Sequence, residues 1–275
     1  MVRFTKLTGA GNDFVAAVPG SELDARGSEQ ARRLCSRRTG VGVDGLILVY
    51  PVDGGVRVRF FNPDGSEFST CGNGTRCAAR FAVRRGLVDG GPFDVVTDAG
   101  PIEARVDAAA DRVSLEYRLP ATRRGPIPVE VPGGPTDGWL MHFGVPHFVV
   151  PLRAMPEGPI EPFCAPIRSD PRLGPEGANV NLITLHEPGV GRIRTFERGV
   201  EGETLACGSG SMAAVIASHA IDRAARRVEL EVRGDEVLGI ELLDEPVFDG
   251  TPIRVRLEGP AVPLFDGEFP GIDDG

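Results

Sequence analysis

Lysine is almost missing from this chain: of 30 lysine and arginine residues, only Lys6 is a lysine. An enzyme that loosens a Cα–H bond through a pyridoxal Schiff base needs a well-placed lysine, so the chain is expected to work without that cofactor. Histidine is nearly as scarce, and His142, His147, His186 and His219 are scattered with no metal-ligand spacing, which argues against a metal centre. No apolar run approaches the ~20 residues of a membrane helix. The start, Met1-Val2-Arg3-Phe4-Thr5-Lys6, has no apolar signal core, so a soluble cytoplasmic protein away from membranes is expected. Basic charge is also short. A formal net charge of −9 leaves no basic face for nucleic acid, and Arg84-Arg85, Arg123-Arg124 and Arg226-Arg227 read as solvated surface. The five cysteines have no paired spacing, which suits a reducing compartment; Cys35, Cys77 and Cys164 read as small buried side chains.

What is present is a duplicated object. Phe61-Asn62-Pro63-Asp64-Gly65-Ser66-Glu67-Phe68-Ser69-Thr70-Cys71-Gly72-Asn73-Gly74 returns, with one inserted residue, as the stretch from Phe196-Glu197-Arg198-Gly199 to Cys207-Gly208-Ser209-Gly210. Phe14 with Phe148, Leu46 with Leu182, Phe61 with Phe196 and Cys71 with Cys207 all lie 134–136 positions apart. A near-constant offset at four places means duplication, so 275 residues are read as two domains.

Hydrophobic patterning places the motifs. A strand from Val2 leads into the turn Gly9-Ala10-Gly11-Asn12-Asp13 and a second strand Phe14–Val18; a helix is expected over Ser28–Arg38. Strands follow at Val43–Val49 and Val56–Phe61, then a helix over about Gly74–Arg85 that stops at Gly86. Short strands are expected at Phe93–Thr97, Ile102–Val106 and Val113–Leu119. The Pro-, Gly- and Thr-rich stretch Pro120–Gly138 is the expected crossing between halves. A helix apolar nearly all round is expected over Gly210–Ala225, then strands at Val228–Val232, Val237–Leu243 and Ile253–Leu257. Each half then reads as a sheet curled about a central helix that opens with Cys-Gly-x-Gly.

A cysteine at a helix start points its sulfur at unpaired N–H groups and the positive end of the helix dipole, which favours thiolate over thiol. Two such sulfurs, one per half, could face each other across one small substrate. Gly208-x-Gly210-x-x-Ala213 also fits a dinucleotide fingerprint, but the strands that follow alternate as antiparallel ones do, so the glycines read better as letting backbone amides approach an anion. Core packing alone would accept alanine or serine at both cysteines. It would not gather Asn12, Asn62, Asn73, Asn181, Glu197, Arg198 and Ser209 on turns and strand ends beside them. His147, in Gly144-Val145-Pro146-His147-Phe148, is undecided on spacing alone between a site residue and a satisfied core imidazole.

The motifs Gly9-Ala10-Gly11-Asn12-Asp13-Phe14, Asn62-Pro63-Asp64-Gly65-Ser66, Cys71-Gly72-Asn73-Gly74-Thr75-Arg76-Cys77, Glu197-Arg198-Gly199 and Ala206-Cys207-Gly208-Ser209-Gly210 resemble the diaminopimelate epimerase family. The resemblance runs from Lys6 to Phe265-Asp266-Gly267. In proline racemases the first motif typically reads Cys-Gly-His, and phenazine-type isomerases of the same fold lack the cysteine pair. The resemblance implies an α+β fold of two pseudo-symmetric domains, each a mostly antiparallel curled sheet around a central helix. Residues 1–118 with 261–275 would form the domain of Cys71, and 119–260 that of Cys207.

It also implies a cofactor-independent, metal-free isomerase, working as a homodimer, that converts LL-2,6-diaminopimelate to the meso form on the route to lysine and peptidoglycan. One thiolate would remove the Cα proton while the other thiol protonates the opposite face; His147 and Glu197 would tune the pair. The amides of Gly72, Asn73, Gly208 and Ser209 would hold the α-carboxylate, and Glu197 and Arg198 the groups at the reacting centre. Asn12, Asn62 and Asn181 would grip the rest. Two positions depart from the pattern: Gly45 stands where family members often carry Gln, and Val145 where they often carry Asn. Either other polar groups or water replace those contacts, or the substrate differs. The rivals are a racemase of another amino acid, histidine for one, and a non-catalytic amino acid binder.

Overall fold

The structure is a computed structural model that describes residues 1–187 and 189–270, so residues 271–275 of the expected first domain lie outside the described residues. The chain divides into two compact units, one from Met1 to Leu115 joined by the stretch from Gly259 onward, the other Glu116–Glu258. The helices are α1 (Ser21–Ala25), α2 (Gly27–Cys35) and α3 (Gly72–Arg84) in the first unit, α4 (Glu161–Arg168) and α5 (Gly208–His219) in the second. Among the described residues no helix is long and apolar enough to cross a membrane.

The duplication is a duplication of strand pairing. In the first unit Asn12–Ala17 runs parallel to Gly45–Val52, which turns back on Gly55–Phe61; that strand runs parallel to Phe93–Thr97, which turns back on Gly100–Asp107. The second unit repeats the sequence of pairings with Val145–Leu152, Asn179–Glu187, Val190–Glu197, Arg227–Glu231 and Val237–Leu242. The parallel pairs sit where a helix intervenes, because a parallel step needs a crossover that a tight hairpin cannot make. α1 and α2 fill the first crossover, α3 the second, α4 the third and α5 the fourth. At the chain's end Val262–Phe269 pairs antiparallel with the first strand, Val2–Gly9.

Within its own unit α3 packs against the strands Val2–Gly9, Asn12–Ala17, Gly55–Phe61 and Gly100–Asp107, and α5 against Gly134–Phe143, Val145–Leu152, Asn179–Glu187 and Val237–Leu242. Every residue of α5 from Gly210 to Ser218 is buried, which accounts for its apolar surface all round. The helix ends at His219, short of the expected Ala225. Asp222 takes a left-handed φ of 57°, and the amides of Asp222 and Arg223 close on the carbonyls of His219 and Ser218 at 3.0 and 2.9 Å. α3 ends the same way at Gly86, whose φ is 65°, with the Leu87 amide on the Ala82 carbonyl at 2.9 Å. The matched aromatics Phe61 and Phe196 each sit in the core of their own unit, with Leu46 and Leu182 beside them. Burying such a side chain contributes ~1.5–3 kcal/mol.

Two further expectations need correction. Pro120–Gly138 is not a loose connection: Arg112–Val131 is one long strand, and it turns at Pro132-Gly133 into Gly134–Phe143. Pro-Gly is a turn pair as well as a linker pair, and inward-facing Ala121, Val129 and Val131 give this hairpin a buried side. Of its prolines, Pro126 falls in a register shift between Arg124 and Ile127, where a ladder tolerates it. The helix expected over Ser28–Arg38 spans Gly27–Cys35, because the amides of Val41 and Gly42 fold back on the Leu34 carbonyl. Arg84 and Arg85 are exposed, as expected of solvated surface, and they are also partnered. They pair with the Asp266 carboxylate at 2.9 and 3.1 Å, and Arg85 also donates to Thr5 Oγ1, tying the last turn of α3 to the two paired terminal strands.

Candidate active site

In the first unit Cys71 is the N-cap of α3, with extended backbone (φ −153°, ψ 119°), and its Sγ accepts the Gly74 amide at 3.4 Å. An anionic sulfur would accept such a bond more strongly than a neutral one. The Cys71 carbonyl is gripped twice by Thr75, at 2.8 Å by the amide and 2.8 Å by the hydroxyl. Cys207 caps α5 with similar backbone (φ −128°, ψ 106°), and its carbonyl is gripped twice by Ser211, amide and hydroxyl both at 2.9 Å. The sulfurs differ locally: Cys207 Sγ lies 3.6 Å from the Ser209 hydroxyl rather than on a backbone amide. Thr75 and Ser211, both wholly buried, were not singled out from the sequence. Their signal was legible there, a hydroxyl four residues after each cysteine.

Asn12 and Asn73 are brought together: the Asn73 amide donates to Asn12 Oδ1 at 2.8 Å, and Asn12 donates to the Asp44 carboxylate at 3.1 Å. Gly72 opens α3 beside them. Asn62 sits in its own turn, its amide on Ser66 Oγ at 2.9 Å. A side chain at Gly45 would fit tightly: a Cβ there would lie 3.0 Å from the Phe61 carbonyl oxygen and 3.2 Å from the Phe14 ring, so a neighbour would have to give slightly. Cys77 and Cys35 are buried in this unit and Cys164 in the other, and burial pushes each thiol up to about 12. They are neutral at ordinary pH and poor candidates for proton transfer.

In the second unit Asn181 is wholly buried behind the start of α5, its Oδ1 so close that a Cβ on Gly210 would come within 2.2 Å of it. Its Oδ1 accepts the Thr195 hydroxyl at 3.0 Å and its Nδ2 donates to the Asn179 carbonyl at 3.2 Å. Asn179 Oδ1 accepts the Arg198 amide at 2.8 Å. These partners fix both amide orientations, since an N–H can only donate and a carbonyl only accept. Both Nδ2 groups therefore face His147 Nδ1, at 3.3 and 3.4 Å, which makes Nδ1 an acceptor and puts the ring proton on Nε2. That Nε2 has no hydrogen-bond partner among the described residues, and the ring is wholly buried. Val145, two residues earlier, is exposed. Burial pushes Glu197 above the usual carboxylate range. The Arg198 guanidinium pairs at 2.6 Å with Glu176, a largely exposed carboxylate.

Desolvation, with His142 and Arg198 adding to it, holds His147 down to about 3, so the ring is neutral near pH 7. The linkage has a definite sign. Above ~6.5 the ring is neutral folded or unfolded; between about 3 and 6.5 only the unfolded chain takes the proton. Stability therefore falls as pH drops through that window, by on the order of 5 kcal/mol from this residue. Urea unfolding at steps from pH 7 to pH 4 should show a shallower pH slope in His147→Gln than in the wild type. Equal slopes would mean the imidazole takes up its proton in the folded protein.

The family model described as diaminopimelate epimerase matches residues 4–119 and 139–248. The diaminopimelate epimerase of Desulforudis audaxviator is 37% identical across 98% of this chain and 99% of that protein, and that of Aquifex aeolicus is 37% identical across 98% of each. The chain belongs to the diaminopimelate epimerase family. As a member of that family it is an isomerase. Solved structures share the fold at lower identity. A probable proline racemase from Agrobacterium radiobacter matches with a TM-score of 0.70 at 16% identity, over 100% of this chain and 95% of that one. A phenazine biosynthesis protein from Bacillus anthracis matches with 0.69 at 15% identity, over 98% and 99%. The α+β, diaminopimelate epimerase-like fold expected from the motifs is thus the fold observed.

Proposed function

We propose that this member of the diaminopimelate epimerase family converts LL-2,6-diaminopimelate to the meso isomer by two-base chemistry, without a cofactor, on the route to lysine and peptidoglycan precursors. The observation that carries the mechanism is that a cysteine caps the central helix in both units, each held by a buried hydroxyl four residues on. Inverting a stereocentre needs a base on one face and an acid on the other. One sulfur, as thiolate, takes the Cα proton and becomes a thiol; the other, as thiol, gives its proton to the opposite face and becomes a thiolate. The reverse reaction exchanges the roles.

A free thiol titrates near ~8.5, so the modest lowering available at a helix start makes a usable base near neutrality. The amides of Gly72, Asn73, Gly208 and Ser209 hold the α-carboxylate and stabilise charge as the carbanion forms. Glu197 takes the α-amino group, and Arg198 takes a carboxylate in exchange for exposed Glu176. Neutral His147 does not carry the proton; its Nε2–H is a fixed donor that tunes the site. Asn12 and Asn62 hold the remaining polar groups, and Asn181 is in the site as the residue that seats His147 and the start of α5. Several such hydrogen bonds reject a substrate lacking the matching groups by large factors. A cytoplasmic homodimer completes the reading.

Proton NMR of diaminopimelate in D2O tests it directly. With enzyme present the Cα–H signal should fade as deuterium enters, in step with appearance of the second isomer. No exchange above the enzyme-free rate would leave a binder rather than an epimerase, and faster exchange into another amino acid would move the substrate assignment.

A further inference from the structure

Arg76 is the largest wholly buried side chain among the described residues, and the cysteine chemistry makes no use of it. A guanidinium in a core is expensive unless its donors are met, and simple packing would be served by leucine or methionine. Its Nε donates to the Pro260 carbonyl at 3.2 Å, and a terminal nitrogen donates to Asn73 Oδ1 at 2.8 Å. From Asn73 the hydrogen bonds continue to Asn12 and on to Asp44, whose other oxygen takes Arg37 at 3.0 Å.

The two ends of this chain impose the same direction. Arg76 can only donate, so Asn73 must turn its oxygen inward and its NH2 towards Asn12. Asp44 accepts at both oxygens, from Arg37 and from the Asp13 amide as well as from Asn12, so Asn12 must turn its NH2 towards Asp44 and its oxygen towards Asn73. A flip of either amide would set oxygen against oxygen or nitrogen against nitrogen. Asn12, which is only half buried, is thereby held with one N–H and one lone pair left in fixed directions for a ligand. Cys71 is secured separately, by Gly74 and Thr75.

We infer that Arg76 is a positioning residue for substrate binding: through Asn73 it locks the orientation of Asn12, and it leaves the proton-transfer step to an independent set of bonds. The inference rests on the reading above that Asn12 contacts the substrate. Because the two networks are separate, loss of Arg76 should raise KM and spare kcat.

The test compares Arg76→Met, Arg76→Lys, Asn12→Ala and the Arg76→Met/Asn12→Ala double variant. Kinetics are read on whichever amino acid the wild type exchanges in D2O, so the wild type alone decides the substrate question and the variants decide the relay. Arg76→Met should raise KM about tenfold with kcat within about threefold, and the double variant should be no worse than Asn12→Ala alone, since both act through one contact. Arg76→Lys should not restore KM, because a compact ammonium lacks the rigid planar fork that meets Asn73 and Pro260 in fixed directions. A second readout needs no substrate: the Asn12 side-chain NH2 signals in a 15N-labelled protein should shift in Arg76→Met and in Asn73→Ala. Additive KM effects, rescue by lysine, or unshifted Asn12 signals in a folded variant would each overturn the inference.

Discussion

Cys71→Ala and Cys207→Ala should each lower epimerase kcat/KM by about 10²–10⁴-fold while leaving the fold in place. The two-sided requirement sets the size of the effect, because removing either sulfur leaves one face of the stereocentre with no group to take or give a proton. Stability should hold because the helix starts are pinned through the cysteine carbonyls, by Thr75 and Ser211, rather than through sulfur alone. The single variants should also part exchange from inversion. With one sulfur left, deuterium can still enter the isomer whose Cα–H faces that sulfur, while the other isomer fails to accumulate. Each variant should then exchange a different isomer. Full epimerisation by either alanine variant, with an unchanged melting curve, would rule out the two-base scheme.

Gly210→Ala is the second large effect. A Cβ there would lie 2.2 Å from Asn181 Oδ1 and 3.2 Å from Cys207 Sγ. The obstructing oxygen is not the free end of a flexible chain: Asn181 is held by Thr195, by the Asn179 carbonyl and against His147. Either the amide leaves that network or the start of α5 moves. Overpacking of this kind costs about 1–3 kcal/mol, and a shift of ~1 Å in a catalytic group can lower kcat by ~100-fold. Gly208→Ala makes a useful contrast for stability, since its Cβ would meet only a terminal methyl of Leu257, at 3.0 Å. In the double variant Gly210→Ala/Asn181→Ala the clash is gone, so the stability losses should be less than additive. Additive losses would show that the strain lies elsewhere.

Much of the fold was readable because its signals are local or repeated. The 134–136 residue offset marked the duplication, and the observed pairings repeat at that offset, from Leu46 against Phe61 to Val180 against Phe196. Both helix starts were readable from Cys-Gly-x-Gly to within two residues, the helices opening at Gly72 and Gly208 rather than at Gly74 and Gly210, and the end of α3 from Gly86. The end of α5 was missed because an aspartate rather than a glycine takes the left-handed position. The Pro120–Gly138 hairpin was missed because composition ranks Pro-Gly stretches as connections, whereas pairing partners decide whether they become strands. α4 was not anticipated; its Glu161–Arg168 segment is short and holds two prolines.

The sequence by itself determined the two-fold repeat, the two capped cysteines and the family, since each rests on neighbours in the chain or on a pattern that recurs along it. Only the tertiary structure decided where the buried polar groups find their partners. Arg76 meets a carbonyl 184 residues away, and His147 receives its tautomer from Asn179 and Asn181 on an adjacent strand. Those contacts follow from strand register and helix docking, which residue type does not encode one position at a time. A buried donor or acceptor also has to be satisfied by whatever group the completed fold sets against it.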